Sequence, residues 1–148
     1  CIAAGADTET RRTAGELGHA IGRAFQIQDD LLGIWGEADV LGKAVGSDIR
    51  RRKKSFPIVL LFERISGDDA AALESLYASD RPRDTELGDA DIDWVMDRLG
   101  ALDIRKTCDE TVRQQLAEVS DRLAALRLSA DSRGQLNELL EFLARRSR

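Results

Sequence analysis

Apolar residues recur every three or four positions along most of the chain, which is the spacing of an amphipathic helix. The first such run predicts a helix over roughly 8–35, capped by Asp7 or Thr8 and ending near Gly36. Further runs predict helices over about 55–65, 69–79, 90–99, 102–127 and 130–146. No period-two run and no alternation of strands with helices is present in the sequence. The pattern therefore predicts an all-α protein of about six helices in one domain, residues 1–148.

Two segments stand out from this pattern. Residues 55–65, which read SFPIVLLFERI, are apolar nearly all round and predict a central buried helix, with Ser55 as its cap and Pro57 in its first turn. Residues 36–54 contain three glycines and no sustained periodicity. They predict a loop longer than the about 12–15 residues usual for structureless connections, and such loops are commonly functional. Elsewhere, Asp68 and Ser129 are predicted to cap the helices that follow them.

The composition is that of a globular protein, with 43% hydrophobic and 33% charged residues. No stretch reaches the roughly 20 apolar residues that a membrane-spanning helix requires. The net charge of −5 disfavours a general nucleic-acid or anionic-membrane surface. Two cysteines, Cys1 and Cys108, form no disulfide framework, so the cytoplasm is the expected location.

Positive charge is concentrated in one segment of this acidic chain. Residues 36–57 contain six basic and three acidic residues, a net charge of +3, while the rest of the chain carries −8. The basic residues are Lys43, Arg50, Arg51, Arg52, Lys53 and Lys54. Taken alone, such a run is compatible with an ordinary solvated face.

Two adjacent carboxylates, Asp29 and Asp30, interrupt the apolar run of the first predicted helix shortly before this basic segment. Like charges near a buried face are unfavourable unless a cation binds them, and Mg²⁺ prefers carboxylate oxygens and water. Both side chains could instead face solvent. A carboxylate pair followed by a basic, glycine-bearing loop favours a site for metal-bound diphosphate, in which lysines contact the phosphate oxygens.

The stretch from Phe25 to Pro57 resembles the second aspartate-rich region of the trans-type polyprenyl diphosphate synthases, which include the farnesyl and geranylgeranyl diphosphate synthases. That family has the pattern F-Q-[IL]-x-D-D-x-L-D-x-x-G-D, followed by G-K and then by D-[IL]-x-x-x-K-x-[TS]-[LFVW]-P. The matching residues are Phe25, Gln26, Ile27, Asp29, Asp30, Leu32, Gly36, Gly42, Lys43, Asp48, Ile49, Lys53, Ser55 and Pro57. The resemblance extends over essentially the whole chain but corresponds only to the C-terminal half of such an enzyme.

The resemblance implies the all-α isoprenoid synthase fold and a Mg²⁺-dependent transferase. Such an enzyme condenses isopentenyl diphosphate with an allylic diphosphate and releases diphosphate. Asp29 is implied as a direct Mg²⁺ ligand and Asp30 as a direct or water-mediated one. Asp48 is implied to order the metal-bound waters and the loop.

Lys43 and Lys53 are implied to bind the allylic diphosphate and to stabilise it as it leaves, and Gln26 is implied to line the site near the reacting carbons. The implied partners are the two diphosphate substrates. A second copy of the chain in a homodimer, or a complementing N-terminal half, is implied as the protein partner.

The chain departs from the family pattern in three respects. Gly33 stands where the pattern has its third aspartate, and Glu37 stands where an aspartate follows the glycine. The family's first aspartate-rich motif is expected upstream of Cys1, so this chain alone is expected to be incomplete. Two alternatives remain open: a non-catalytic or complementary subunit of a heteromeric synthase, and a class I terpene cyclase, which DDLLG followed by GK and DIRRRK disfavours.

Overall fold

Seven helices and no strand form over the parts of the chain that the structure, a computed structural model, describes: residues 5–36, 45–78, 85–126 and 128–145. In chain order the helices are α1 (Thr8–Trp35), α2 (Ser47–Arg50), α3 (Phe56–Arg64), α4 (Asp68–Leu76), α5 (Asp89–Ala101), α6 (Ile104–Ala125) and α7 (Ala130–Arg145). The all-α prediction is confirmed. Within the described ranges, no helix has the length and apolar character needed to cross a membrane.

Local side-chain chemistry explains where several helices begin and end. The carboxylate of Asp7 accepts a hydrogen bond from the Thr10 amide at 2.8 Å, and the Ser129 hydroxyl accepts one from the Ser132 amide at 3.2 Å. Both are the N-caps that the sequence predicts. The prediction that Asp68 caps α4 is wrong, because Gly67, at a φ of 65° that glycine adopts without strain, precedes the first turn.

The chain divides into two compact units, residues 1–28 with 109–148 and residues 29–108. The first unit buries a cluster of Leu17, Ala20, Val119, Leu123, Leu126 and Leu140. Arg133 donates hydrogen bonds to the carbonyl oxygens of Leu123 at 3.1 Å and Leu126 at 2.9 Å. These bonds add to the backbone hydrogen bonds that the same two carbonyl oxygens accept from the Leu126 and Leu128 amides at the end of α6.

The second unit contains α2, α3, α4 and α5 together with the last turns of α1 and the start of α6. Helix α3 buries Pro57, Ile58 and Leu61, whereas Val59 is 41% exposed. Within the described residues, α3 therefore buries one face only. This differs from the central helix, buried nearly all round, that its apolar sequence predicted. Some of its apolar residues are buried and others are exposed, and the composition of the segment does not show which are which.

Helix α2 lies in the segment predicted as a loop and is tied to the chain before α5. The Leu87 amide donates to the Arg50 carbonyl oxygen at 2.9 Å, and the Arg50 guanidinium donates to the Leu87 carbonyl oxygen at 3.1 Å. Arg50 also forms an ion pair with Asp89 at the start of α5. One of the six basic residues is thus used to hold two segments of the fold together.

Replacement of Leu61 tests this packing. Leu61→Ala is expected to lower the free energy of unfolding by about 2–5 kcal/mol, because it leaves a cavity in place of a fully buried side chain. Val59→Ala on the same helix is the matched control and is expected to change it by less than about 0.5 kcal/mol. Chemical denaturation followed by circular dichroism measures both. Equal losses in the two variants would contradict the assignment of the buried face.

Candidate functional site

The doubled aspartate of α1 is divided between two environments. Asp29 is exposed, whereas the Asp30 side chain is among the buried charged groups, with 5% of its residue surface accessible. Successive residues on an α-helix point about 100° apart, so adjacent carboxylates face different surroundings. The two carboxylates therefore lie in different surroundings, one exposed and one buried.

Asp30 contacts the first residue of α3. The Phe56 amide donates a hydrogen bond to Asp30 Oδ2 at 2.8 Å. The predicted cap, Ser55, occupies the N-cap position of this helix but its side chain makes no capping hydrogen bond. A carboxylate at a helix N-terminus both accepts from an otherwise unpaired amide and opposes the positive end of the helix dipole. Asp30, which belongs to α1, thus caps the N-terminus of α3 in place of Ser55.

Helix α2 is docked against the last turn of α1. The Gly46 amide donates to the Ile34 carbonyl oxygen at 2.9 Å, and the Ser47 hydroxyl donates to the Gly33 carbonyl oxygen at 3.2 Å. Gly46 has a φ of 74°, in the left-handed region that favours glycine. These contacts place Asp48, which is 9% exposed, beside Gly33.

The Asp48 carboxylate lies directly against the backbone at Gly33. A Cβ atom built on Gly33 would stand 2.3 Å from Asp48 Oδ2 and 2.4 Å from Asp48 Cγ. Distances below 3.0 Å essentially never occur at real Cβ atoms, so no side chain fits at position 33 while Asp48 keeps this position. The sequence carries a signal of this contact, since a glycine replaces an aspartate of the pattern inside a helix.

Lys53 connects the two buried aspartates. Its ammonium nitrogen lies 2.9 Å from Asp30 Oδ1 and 3.0 Å from Asp48 Oδ2. We refer to Asp30, Asp48 and Lys53 as the lysine-bridged pair. Arg52, at a φ of 53°, turns the chain back so that the Lys53 amide donates to the Asp48 carbonyl oxygen at 2.9 Å.

The lysine-bridged pair keeps Lys53 charged. Burial lowers the pKa of the ammonium, but hydrogen bonds to Asp30 and Asp48 and their negative charges outweigh burial, so the pKa lies above its usual value. The Lys53 side chain is 43% exposed. An ammonium has three N–H donors, so two contacts with carboxylates leave one donor for an acceptor on the open side.

Tyr77, which the sequence analysis did not identify, lies close enough to Asp48 for the carboxylate charge to affect its hydroxyl. Its ring packs edge-on against Phe62, with centroids 5.6 Å apart at an interplanar angle of 88°. Burial, and then the negative charge of Asp48, raise the pKa of the Tyr77 hydroxyl well above its usual value, so it stays protonated. Within the described residues the hydroxyl has no hydrogen-bond partner.

Gln26 and Lys43 complete the set of predicted site residues. Gln26 is exposed on α1 and belongs to the first unit. Lys43 lies outside the described residues. The structure thus assembles Asp30, Asp48 and Lys53 within one unit and presents Asp29 at its surface.

Asp29 is the predicted metal ligand whose carboxylate is exposed. No group of three or more His, Cys, Asp or Glu side chains within the described ranges is arranged to hold a metal ion. Mg²⁺ in phosphate-handling enzymes is usually bound by one or two carboxylates, with water and phosphate oxygens as the other ligands. The exposed carboxylate of Asp29 is of the type that this chemistry uses, and Asp30 and Asp48 both contact the Lys53 ammonium.

Comparison with known proteins places this geometry in a family context. Residues 1–91 match the family described as polyprenyl synthetase. The geranylfarnesyl diphosphate synthase of Aeropyrum pernix is 32% identical over 145 residues, which are 98% of this chain and 43% of that protein. The crystal structure of polyprenyl synthetase from Streptomyces coelicolor A3(2) matches with a TM-score of 0.80 at 30% identity, covering 94% of this chain and 41% of that one.

A second solved structure carries ligands. It is geranylgeranyl pyrophosphate synthase from Corynebacterium glutamicum, complexed with isoprenyl diphosphate and magnesium. It matches with a TM-score of 0.78 at 25% identity over 97% of this chain and 39% of that one. The chain therefore spans about two-fifths of the length of these proteins.

Removal of the bridging ammonium tests the lysine-bridged pair. Lys53→Met is expected to lower the free energy of unfolding at pH 7 by about 1–2 kcal/mol. Removing one partner of a fully buried ion pair costs about 3–5 kcal/mol. The smaller loss is expected here because Lys53 is 43% exposed and solvent screens its charge. Since the pKa of Lys53 is raised on folding, its stabilisation is complete below about pH 10 and lost as pH rises through the folded-state pKa.

Urea denaturation of the wild type and the variant between pH 7 and pH 11 measures this difference. The two stabilities are expected to converge at the alkaline end. Lys54→Met, at the exposed neighbouring position, is the matched control and is expected to have little effect at any pH. A Lys53→Met difference that grows with pH would contradict the ion-pair geometry.

Proposed function

Because the chain belongs to the polyprenyl synthetase family, we propose that it forms part of a Mg²⁺-dependent prenyltransferase that joins isopentenyl diphosphate to an allylic diphosphate. The observation that carries this proposal is the lysine-bridged pair on the same stretch of chain as the exposed carboxylate of Asp29. It combines an ammonium held in place by two carboxylates with a further, exposed carboxylate. The complex of a similar synthase with isoprenyl diphosphate and magnesium supports the same substrate chemistry.

Breaking the allylic C–O bond is the difficult step of this reaction. The bonding electron pair leaves with the diphosphate, the double bond of isopentenyl diphosphate then attacks the allylic cation, and loss of a proton restores a double bond. Mg²⁺, when bound, supplies positive charge to the departing diphosphate. The chain's own contribution is to fix further positive charge where that negative charge develops.

Lys53 is proposed to supply that fixed charge. Its remaining N–H donor can reach a phosphate oxygen on the exposed side while Asp30 and Asp48 hold the ammonium in place. The raised pKa keeps the group protonated across the neutral range. Lys53 thus needs no proton uptake when the diphosphate arrives, and Lys43 is proposed as a second cation for the same group.

Asp29 is proposed as the carboxylate that binds Mg²⁺ directly. Its neighbour Asp30 contacts the Phe56 amide and Lys53, which favours a holding function for Asp30 over direct metal ligation. Asp48 is proposed to hold Lys53 in the same way, and metal-bound water remains a further partner for both carboxylates. Gln26 is proposed to line the region near the reacting carbons.

Replacement of Asp29 separates metal binding from folding. In the full-length protein that carries this chain, Asp29→Asn is expected to lower kcat about 10²–10³-fold and to raise the Mg²⁺ concentration required, because an amide is a weaker ligand for a hard cation. The melting temperature is expected to stay unchanged because Asp29 is exposed. Incorporation of labelled isopentenyl diphosphate into prenyl product measures the rate.

Asp93→Asn, at an exposed position of α5, is the matched control and is expected to behave as the wild type. Full activity in Asp29→Asn would overturn the assignment of Asp29. A wild-type protein that binds Mg²⁺ and diphosphate without turnover, and gains turnover from a second polypeptide, would favour the subunit alternative.

A further inference from the structure

Gly33 lies within α1, near its end, where glycine itself does not stabilise a helix. Gly in a helix interior costs about 0.5–1 kcal/mol relative to Ala, because it loses more backbone freedom on folding. Gly33 occupies such a position, one turn after Asp29 and Asp30. A close approach of another group is one physical reason for a glycine at such a position.

Asp48 makes such a close approach to Gly33. Gly15, Gly18 and Gly22 lie on the same helix, and a Cβ atom at any of them would meet no atom within 4 Å. At Gly33 the added Cβ would overlap the carboxylate of Asp48 at 2.3 Å and 2.9 Å from its two oxygens. Within the described residues, Gly33 is thus the helical glycine whose missing side chain makes room for another residue's charged group.

The carboxylate admitted at this point is one of the two that hold Lys53. We propose that Gly33 and Asp48 act together as a positioning pair, in which the bare helix surface at Gly33 lets Asp48 fix the Lys53 ammonium for a bound diphosphate. The proposal rests on the proposed function, since it concerns the affinity of that same site for diphosphate.

Fixing the ammonium in advance improves binding through entropy. A lysine side chain has four rotatable bonds, and ordering it on ligand binding opposes association. With Asp30 Oδ1 on one side and Asp48 Oδ2 on the other, the ammonium is held at two points before a diphosphate is present. Removal of one point leaves Lys53 charged but less ordered, so the loss is expected in diphosphate affinity.

The test measures binding of inorganic diphosphate in the presence of Mg²⁺ by isothermal titration calorimetry on the full-length protein. Gly33→Ala is expected to weaken binding about tenfold, because its Cβ displaces the Asp48 carboxylate. Gly22→Ala on the same helix is the matched control and is expected to bind as the wild type. Asp48→Asn, which introduces no clash, is expected to weaken binding to a similar extent and decides the question if Gly33→Ala folds poorly.

A double-mutant cycle with Lys53→Met distinguishes positioning from a purely structural contribution. If Gly33 and Asp48 act through Lys53, then adding Gly33→Ala or Asp48→Asn to Lys53→Met is expected to cause no further loss of diphosphate affinity. Losses that multiply in the double variants would overturn the proposal, as would wild-type affinity in Asp48→Asn. Melting temperatures recorded alongside report any general loss of stability.

The two levels of inference fail in different ways. A wild-type protein that does not bind Mg²⁺ and diphosphate at all would overturn the proposed function and, with it, the positioning pair. A wild type that binds them, with Asp48→Asn binding equally well, would overturn the positioning pair alone.

Discussion

Two nearly water-inaccessible carboxylates lie about 3 Å from one ammonium group, and much of the second unit is organised by that arrangement. Asp30 comes from α1, Asp48 from α2, and Lys53 from the turn between α2 and α3. Taking a single carboxylate out of water costs several kcal/mol unless it is paired and hydrogen-bonded. The three groups therefore stabilise one another's burial, and the helices that carry them are held in a common arrangement.

The same contact links the fold to its chemistry. Asp30 uses one oxygen for Lys53 and the other for the first amide of α3, so the position of the lysine and the start of a buried helix share one side chain. Lys53 remains partly exposed, which leaves its charge accessible to an anion from solvent. Asp29, one residue before Asp30, is on the open side of α1 because of helix geometry alone.

Most of the helices could be predicted from the sequence because they depend on local patterns. Helix α1 has a clear period, a capping aspartate and a terminal glycine, and its predicted range matches Thr8–Trp35. Helix α2 has four residues, too few to show a period, and it was predicted as loop.

The pairing of charges could not be predicted, because it depends on contacts distant in sequence. The basic run gave a count of positive residues, but it did not reveal that Arg50 binds the chain around Leu87 and Asp89. It likewise did not reveal that Lys53 forms ion pairs with two aspartates from different helices. The resemblance implied a direct metal-binding role for Asp29 and a direct or water-mediated one for Asp30, but the sequence did not reveal that Asp30 contacts the amide at the start of α3.

The contact between Gly33 and Asp48 links the residue allowed at position 33 to the position of the Asp48 side chain. With Asp48 in place, every single substitution at position 33 introduces a Cβ atom into occupied space. In this chain, any side chain at position 33 therefore requires the Asp48 carboxylate to take another position. Relatives that follow the family pattern, with an aspartate at both positions, are therefore expected to place the second carboxylate differently from this chain.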